Sequence, residues 1–316
     1  MNTLGEKRDF LNISDFSKAE ILETIELGEK LKYETKNGIA HEHLKGKTLG
    51  MLFRKASTRT RVSFEVGMYQ LGGMALFLDT NDTQMRNGEV IHDTARVLSR
   101  YVDGIMMRTY SHKELEVLAK YSSVPIINGL TDEQHPCQVL ADLMTIKEYK
   151  KKFEGLKAAF IGDGHNMANT TIEGCLMVGM DIALATPKGF EPKNHILERV
   201  REIEETSSGN LYLCNDPKEA AEGADVVITD VWESRGLEED RNLRRELFKE
   251  FQVNSELMKI TQTDAMVLHC LPARRGEEIT TEILEKHQTE IFEEAENRLH
   301  VQKAVMVKLM SEYKKV

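Results

Sequence analysis

The sequence predicts an α/β protein of two domains, each a parallel sheet flanked by helices, the two joined by interdomain helices. Three observations predict it. Short apolar runs alternate with helical patterns along nearly all 316 residues, which is the rhythm of strand–helix–strand units. Segments such as Val226-Val227-Ile228 are apolar without a break, as strands covered on both faces are. A charged helix tail followed by Gly155 interrupts the rhythm midway and divides the chain.

Taken in order, the first half predicts strands at 48–53, 75–78, 104–108 and 124–128. The second predicts them at 158–161, 181–185, 211–214, 226–230 and 266–270. Between the halves a helix is expected from residue 136 to about residue 153. Pro136 suits a first helical position, and Val139, Leu140, Leu143 and Ile146 recur at helical spacing. Its charged tail (Lys147, Glu148, Lys150 to Lys152) places the boundary between domains 1–150 and 151–298. Residues 299–316 repeat Leu299, Val301, Ala304, Val305 and Leu309 helically and are expected to return onto the first domain.

Composition narrows the partners. With 42 Lys+Arg against 52 Asp+Glu the formal charge is −10. That disfavours nucleic acid or an anionic membrane as main partner and leaves room for an anionic small molecule where cations gather locally. No apolar run approaches the ~18 residues of a membrane helix. Residues 1–10 lack a signal-peptide pattern, so the expected address is cytoplasmic. Cys137, Cys175, Cys214 and Cys270 have no metal-ligand spacing and read as reduced thiols, with no metal expected.

Cations gather in residues 53–61, which hold Arg54, Lys55, Arg59 and Arg61 beside Ser57, Thr58 and Thr60. A strand precedes them. A helix pattern follows (Val62, Phe64, Met68, Leu71), with Gly72-Gly73 as its stop. Ser57 or Thr58 caps that helix, and the free amides, the positive helix end and an arginine together make an anion site. Phosphate matches the guanidinium fork. Arg108 ends the 104–108 strand, and His135 and Gln138 follow the next, so all three fall at carboxyl ends of strands, where open parallel sheets bind ligands.

The second half repeats the logic with opposite charge. Asp230 and Cys270 end adjacent predicted strands and present a carboxylate and a thiol. Gly162, Gly164 and Ala168 imitate a dinucleotide fingerprint. No carboxylate ends the following strand, and Lys188 there leaves an NADP-dependent reductase as an alternative reading. An anion on one wall and an amine on the other suit this charge division.

Six motifs in fixed order then carry a resemblance over essentially the whole chain. They are Ser57-Thr58-Arg59-Thr60-Arg61, Asp93-Thr94-Ala95-Arg96-Val97-Leu98, His135-Pro136-Cys137-Gln138, Asp230-Val231-Trp232, His269-Cys270-Leu271-Pro272-Ala273 and Glu294-Ala295-Glu296-Asn297-Arg298. The sequence resembles the aspartate/ornithine carbamoyltransferase family, most nearly its ornithine branch. The resemblance implies transfer of the carbamoyl group of carbamoyl phosphate to the δ-amine of L-ornithine, giving L-citrulline and phosphate. It implies no metal or organic cofactor, and a homotrimer, or an assembly of trimers, with shared active sites.

By matching position, it implies that Ser57, Thr58, Arg59, Thr60, Arg108, His135, Gln138 and Arg298 bind carbamoyl phosphate. Gln84 is the residue lent to a neighbouring subunit. Asn166, Asp230 and Ser234 contact ornithine, and Cys270 and Leu271 touch both substrates. The expected chemistry has Asp230 orienting the amine, Cys270 helping to take its proton, and Arg108, His135 and Thr60 polarising the carbamoyl oxygen. Two departures stand out: Arg235 replaces the usual Met after Asp-x-Trp, and Arg54 replaces the usual Glu. Arg235 opens the alternative of another amine acceptor, putrescine or lysine.

Overall fold

The computed structural model describes residues 7–232 and 241–311. Ser234 and Arg235 lie outside them. The chain forms two compact units, one running to Ala141 and resuming at Asn297, the other spanning Asp142–Glu296.

The first unit is built on four parallel strands, β1 (Thr48–Phe53), β2 (Met74–Asp79), β3 (Gly104–Arg108) and β4 (Ile126–Leu130), in the order β2-β1-β3-β4. Every residue of β3 and β4 is buried, including the polar Arg108 and Asn128. β2 lies at the edge and alternates between exposed and half-buried positions. Around this sheet run α1 (Lys18–Lys36), α2 (Thr58–Gln70), α3 (Ile91–Tyr101), α4 (His112–Tyr121) and the start of α5 (Pro136–Lys150).

Local signals set the helix ends. Ser17 caps α1 in a capping box with Glu20, both reciprocal bonds being present. Ser57 caps α2 by accepting from the Thr60 amide. At the other end of α2, Gly72 adopts φ +77°, and a Cβ there would lie 2.9 Å from Cβ of Glu42. The stop is therefore both conformational and steric.

The second unit holds five parallel strands, β5 (Lys157–Ile161), β6 (Asp181–Ala185), β7 (Leu211–Cys214), β8 (Val226–Thr229) and β9 (Met266–His269), ordered β7-β6-β5-β8-β9. Its helices are α6 (Asn166–Val178), α7 (Asn194–Glu204), α8 (Pro217–Ala221), α9 (Arg241–Phe248), α10 (Ser255–Met258), α11 (Thr281–Lys286) and the start of α12 (Gln288–Met310). Its core gathers Ala159, Ile161, Val227, Val267, Ile279 and Ile291 with their neighbours.

Several boundaries differ from expectation for physical reasons. β4 starts at Ile126 because Pro125 has no N–H to give to the ladder. α5 ends at Lys150, where Lys151 turns to φ +62°. α12 begins at Gln288, well before the expected start, because the acidic stretch around Glu290 favours a helix N-terminus. The units divide inside α5, at Ala141/Asp142, and inside α12, at Glu296/Asn297, whereas the sequence suggested cuts at 150 and 298. Among the described residues no helix is long and apolar enough to cross a membrane.

Candidate active site

Strand order locates a crevice in each unit. In the first, β1 and β3 are neighbours, yet β1 leads on to β2 on one side and β3 to β4 on the other. Their carboxyl ends pair Phe53 with Arg108, and the Arg54 amide donates to the Arg108 carbonyl at 2.9 Å. Such a reversal opens a binding crevice beyond the strand ends.

The first turn of α2 sits at this crevice. Thr60, fully buried, is its hub. Arg298 donates through Nη2 to Thr60 Oγ1 and through Nη1 to Gln138 Oε1, both at 3.0 Å. Arg108 donates through Nη1 to the Gly129 carbonyl at 3.3 Å and to Thr60 Oγ1 at 3.5 Å. Arg298 is only 3% exposed and Arg108 9%. These hydrogen bonds end on neutral oxygens and orient the two buried guanidiniums.

His135 registers the resulting field. Burial, and then the positive charges of Arg298, Arg108, Arg59 and Lys55, hold its imidazole well below the usual histidine range. The ring is therefore neutral and able to donate a hydrogen bond at neutral pH.

The cation-rich run divides in two. Arg54 pairs with Glu114 at 2.6 Å, and Arg61 pairs with Glu65 at 3.0 Å while lying over the Phe77 ring. Mutual repulsion within residues 53–61 is thus relieved for these two by carboxylates. Lys55 and Arg59 remain in the field around His135, and Arg108 and Arg298 complete it from distant sequence. Ser57 caps the helix, Thr58 is its exposed first residue, and Gln138 is fully buried. Gln84 is exposed on a short 3-10 turn after β2, where it accepts from Asn87 at 3.2 Å.

In the second unit the reversal falls between β5 and β8, whose ends pair Ile161 with Thr229. Asp230 follows β8 directly, and Cys270 follows β9. The Cys270 thiol donates to Asp230 Oδ1 at 3.2 Å, and the Val231 amide donates to the same oxygen at 2.7 Å. Burial raises the Asp230 carboxyl above its usual range, against the opposing pull of His269 and of the thiol hydrogen bond. Burial and then the charges of Asp230, Glu294 and Asp142 push the Cys270 thiol well above its ordinary value. The sulfur therefore keeps its proton. The sequence suggested that Cys270 helps to take the amine's proton; the geometry shows its thiol donating to Asp230.

Leu271 adopts φ +57°, a strained conformation for a branched side chain. Its amide donates to His269 Nδ1 at 2.9 Å, so His269 carries its proton on Nε2, 2.9 Å from Glu278 Oε1. His269 and Glu278 are both buried. Ligand atoms of Asp230, His269 and Cys270 lie within 4.8 Å of one another, but both ring nitrogens of His269 are engaged by these partners. Asn166 opens α6, buried, with Oδ1 accepting from the Met167 amide at 2.9 Å.

The glycine fingerprint has a packing explanation. The Gly164 amide donates to the Phe190 carbonyl at 2.9 Å, and a Cβ at Gly164 would lie 2.4 Å from that oxygen. Asp163 is held by Arg244 at 2.6 Å, and Arg244 also donates to the Trp232 carbonyl at 2.8 Å. The loop after β5 is thus fixed by protein contacts, which removes the motivation for a dinucleotide. Sequence reasoning missed Arg244 and Glu278, both of which act on the loops at these strand ends. Neither stands in a motif that marks it; only the fold brings them there.

Comparison with known proteins bears on this arrangement. Residues 8–148 match the aspartate/ornithine carbamoyltransferase carbamoyl-P binding domain, and residues 154–309 match the Asp/Orn binding domain of the same family. An ornithine carbamoyltransferase of Methanosarcina acetivorans is 52% identical over 304 residues, covering 96% of this chain and 99% of its own. One from Syntrophotalea carbinolica is 53% identical over 305 residues, covering 96% and 100%. Among solved structures, ornithine carbamoyltransferase from Pyrococcus furiosus superposes with a TM-score of 0.94 at 47% identity, covering 99% of this chain and 100% of that one.

Proposed function

We propose, starting from the fact that this chain belongs to the aspartate/ornithine carbamoyltransferase family, that it transfers the carbamoyl group of carbamoyl phosphate to the δ-amine of L-ornithine, forming L-citrulline and phosphate. The observation that carries the choice of acceptor is the carboxylate of Asp230 at the end of β8, 3.2 Å from the Cys270 thiol, with Glu294 accepting from the neighbouring His269 amide at 2.9 Å. An amine is attracted there. A dicarboxylate such as aspartate is repelled.

Donor and acceptor then have separate holders. The α2 amides, with Ser57, Thr58, Arg59, Gln138 and Arg298, bind the phosphate. Thr60, Arg108 and neutral His135 donate to the carbamoyl oxygen as it gains charge. Removing one such donor costs about 2.7–4 kcal/mol of transition-state stabilisation. The δ-ammonium, with a pKa of ~10.4, first releases a proton to solvent, so that the amine reacts in its neutral form. Asp230 orients the nitrogen, whose lone pair forms the new N–C bond. The C–O bond to phosphate breaks, and the departing phosphate takes the second nitrogen proton and remains paired with Arg59. Asn166, Ser234 and Leu271 hold the rest of ornithine, and no cofactor enters.

Incubating the purified protein with carbamoyl phosphate and, in parallel, ornithine, lysine, putrescine or aspartate tests this reading. Citrulline and phosphate are expected one for one with ornithine alone. Carbamoylation of another acceptor without citrulline overturns the assignment.

The chain also assembles as a homotrimer in this reading, with Gln84 lent to a neighbour's site. Exposed Val62, Val66 and Tyr69 on one face of α2, beside Met74 and Leu76 on β2, support it. Four unbridged cysteines fit a reducing compartment such as the cytoplasm.

A further inference from the structure

Resting on the reading of Arg298 as a donor-binding side chain, we propose that Lys303 is a positioning residue for the reaction: it fixes the setting of α12 against α1 and α2 and thereby aims the Arg298 guanidinium.

Lys303 is fully buried. Its ammonium donates to Thr35 Oγ1 at 2.7 Å, Gln70 Oε1 at 2.9 Å and the Leu31 carbonyl at 3.4 Å, and lies 3.2 Å from His41 Nε2. His41 Nδ1 is 2.8 Å from the Ile39 carbonyl, which leaves Nε2 as an acceptor, so the three ammonium N–H bonds are shared among four acceptors, the Leu31 carbonyl being the most distant. One side chain of α12 thus grips α1, the segment after it, and the last residue of α2. Five residues away, about 7.5 Å along the axis, Arg298 grips the first turn of the same α2 through Thr60. A second lysine bond joins α1 to α12: Lys32 Nζ to Asn297 Oδ1 at 2.8 Å, next to Arg298 in the chain.

Between the two grips the helices approach closely. A Cβ added at Gly67 of α2 would lie 3.1 Å from Met306 Cε and 3.2 Å from Lys303 Cγ. The crossing therefore has little room to shift.

An apolar side chain of the same volume would fill the Lys303 site at no greater cost, since a buried ammonium carries a desolvation penalty. Burial holds this amine down at about 8. What methionine would not supply is register. Apolar packing tolerates small slips that hydrogen bonds of this geometry resist, and a binding side chain must be held within ~0.5 Å.

The test is a double-mutant cycle. In the otherwise native protein, Lys303→Met is expected to lower kcat/KM for carbamoyl phosphate by at least about tenfold, mainly through KM, while KM for ornithine stays unchanged. In an Arg298→Ala background the same change is expected to have no further effect on kcat/KM for the donor. Equal fractional losses in both backgrounds, or no loss in the first, overturn the positioning role. If Lys303→Met does not fold, Gln70→Leu removes the α2 acceptor alone and is judged by the same criterion. A native protein that forms no citrulline overturns the functional reading. Native activity with Arg298→Ala impaired and Lys303→Met unimpaired overturns only the role of Lys303.

Discussion

Burial drives His135 and Cys270 toward the same electrical state from opposite directions. Burial, and then four cations, hold the imidazole's pKa down, while burial, and then three carboxylates, push the thiol's up. Both are then hydrogen-bond donors at neutral pH. This separates two accounts of Cys270. The thiol hydrogen bond stabilises ionised Asp230, so its loss raises the Asp230 pKa further. The acid limb of kcat/KM for ornithine is therefore expected to move to higher pH in Cys270→Ala and to stay in place in Cys270→Ser, whose hydroxyl also donates. Asp230→Asn removes the limb and lowers kcat/KM by about 100-fold or more. A pH–rate series on the three variants checks this, and an unmoved limb in Cys270→Ala contradicts it. The identity of these residues was legible in the chain as strand-end polar groups. Their protonation states were not, because Arg298 and Glu294 act on them from far away in sequence.

At the scale of elements, most strands could be read directly, since a central parallel strand writes itself as an unbroken apolar run. α2 was equally clear, with a hydroxyl cap at Ser57 and a glycine stop. The N-terminal start of α12 was hidden by acidic residues that show little apolar periodicity. Equally hidden was the role of Gly67, which stands in mid-helix, where glycine costs ~1 kcal/mol against alanine. The close approach of α12 explains it. Gly67→Ala gains that propensity but forces the crossing wider by a few tenths of an ångström. The expected result is a KM for carbamoyl phosphate raised roughly fivefold at nearly unchanged kcat, read by steady-state kinetics; an unchanged KM shows that the crossing can relax without disturbing Thr60 and Arg298.

For the whole molecule, the apolar face of α2 and β2 is the feature that a lone chain leaves unexplained. Val62, Val66 and Tyr69 recur at helical spacing, and Tyr69 is 81% exposed. Light scattering is expected to give about three times the 36.0 kDa chain mass. Val66→Lys combined with Tyr69→Glu is expected to give single chains of lowered activity. A native protein that runs as a monomer contradicts the assembly.

The crevice around Thr60 is assembled from chain segments very far apart, with Arg298 reaching Thr60 across 238 positions. During synthesis, β1 to β4 and the α2 cap emerge long before Arg298 does, and units that emerge first tend to fold first. A ribosome-bound chain halted before α12 therefore still lacks Arg298, one of the two buried guanidiniums that meet at Thr60. In the proposed reading, the donor's phosphate meets its complete set of cations only when translation has carried α12 clear of the exit tunnel.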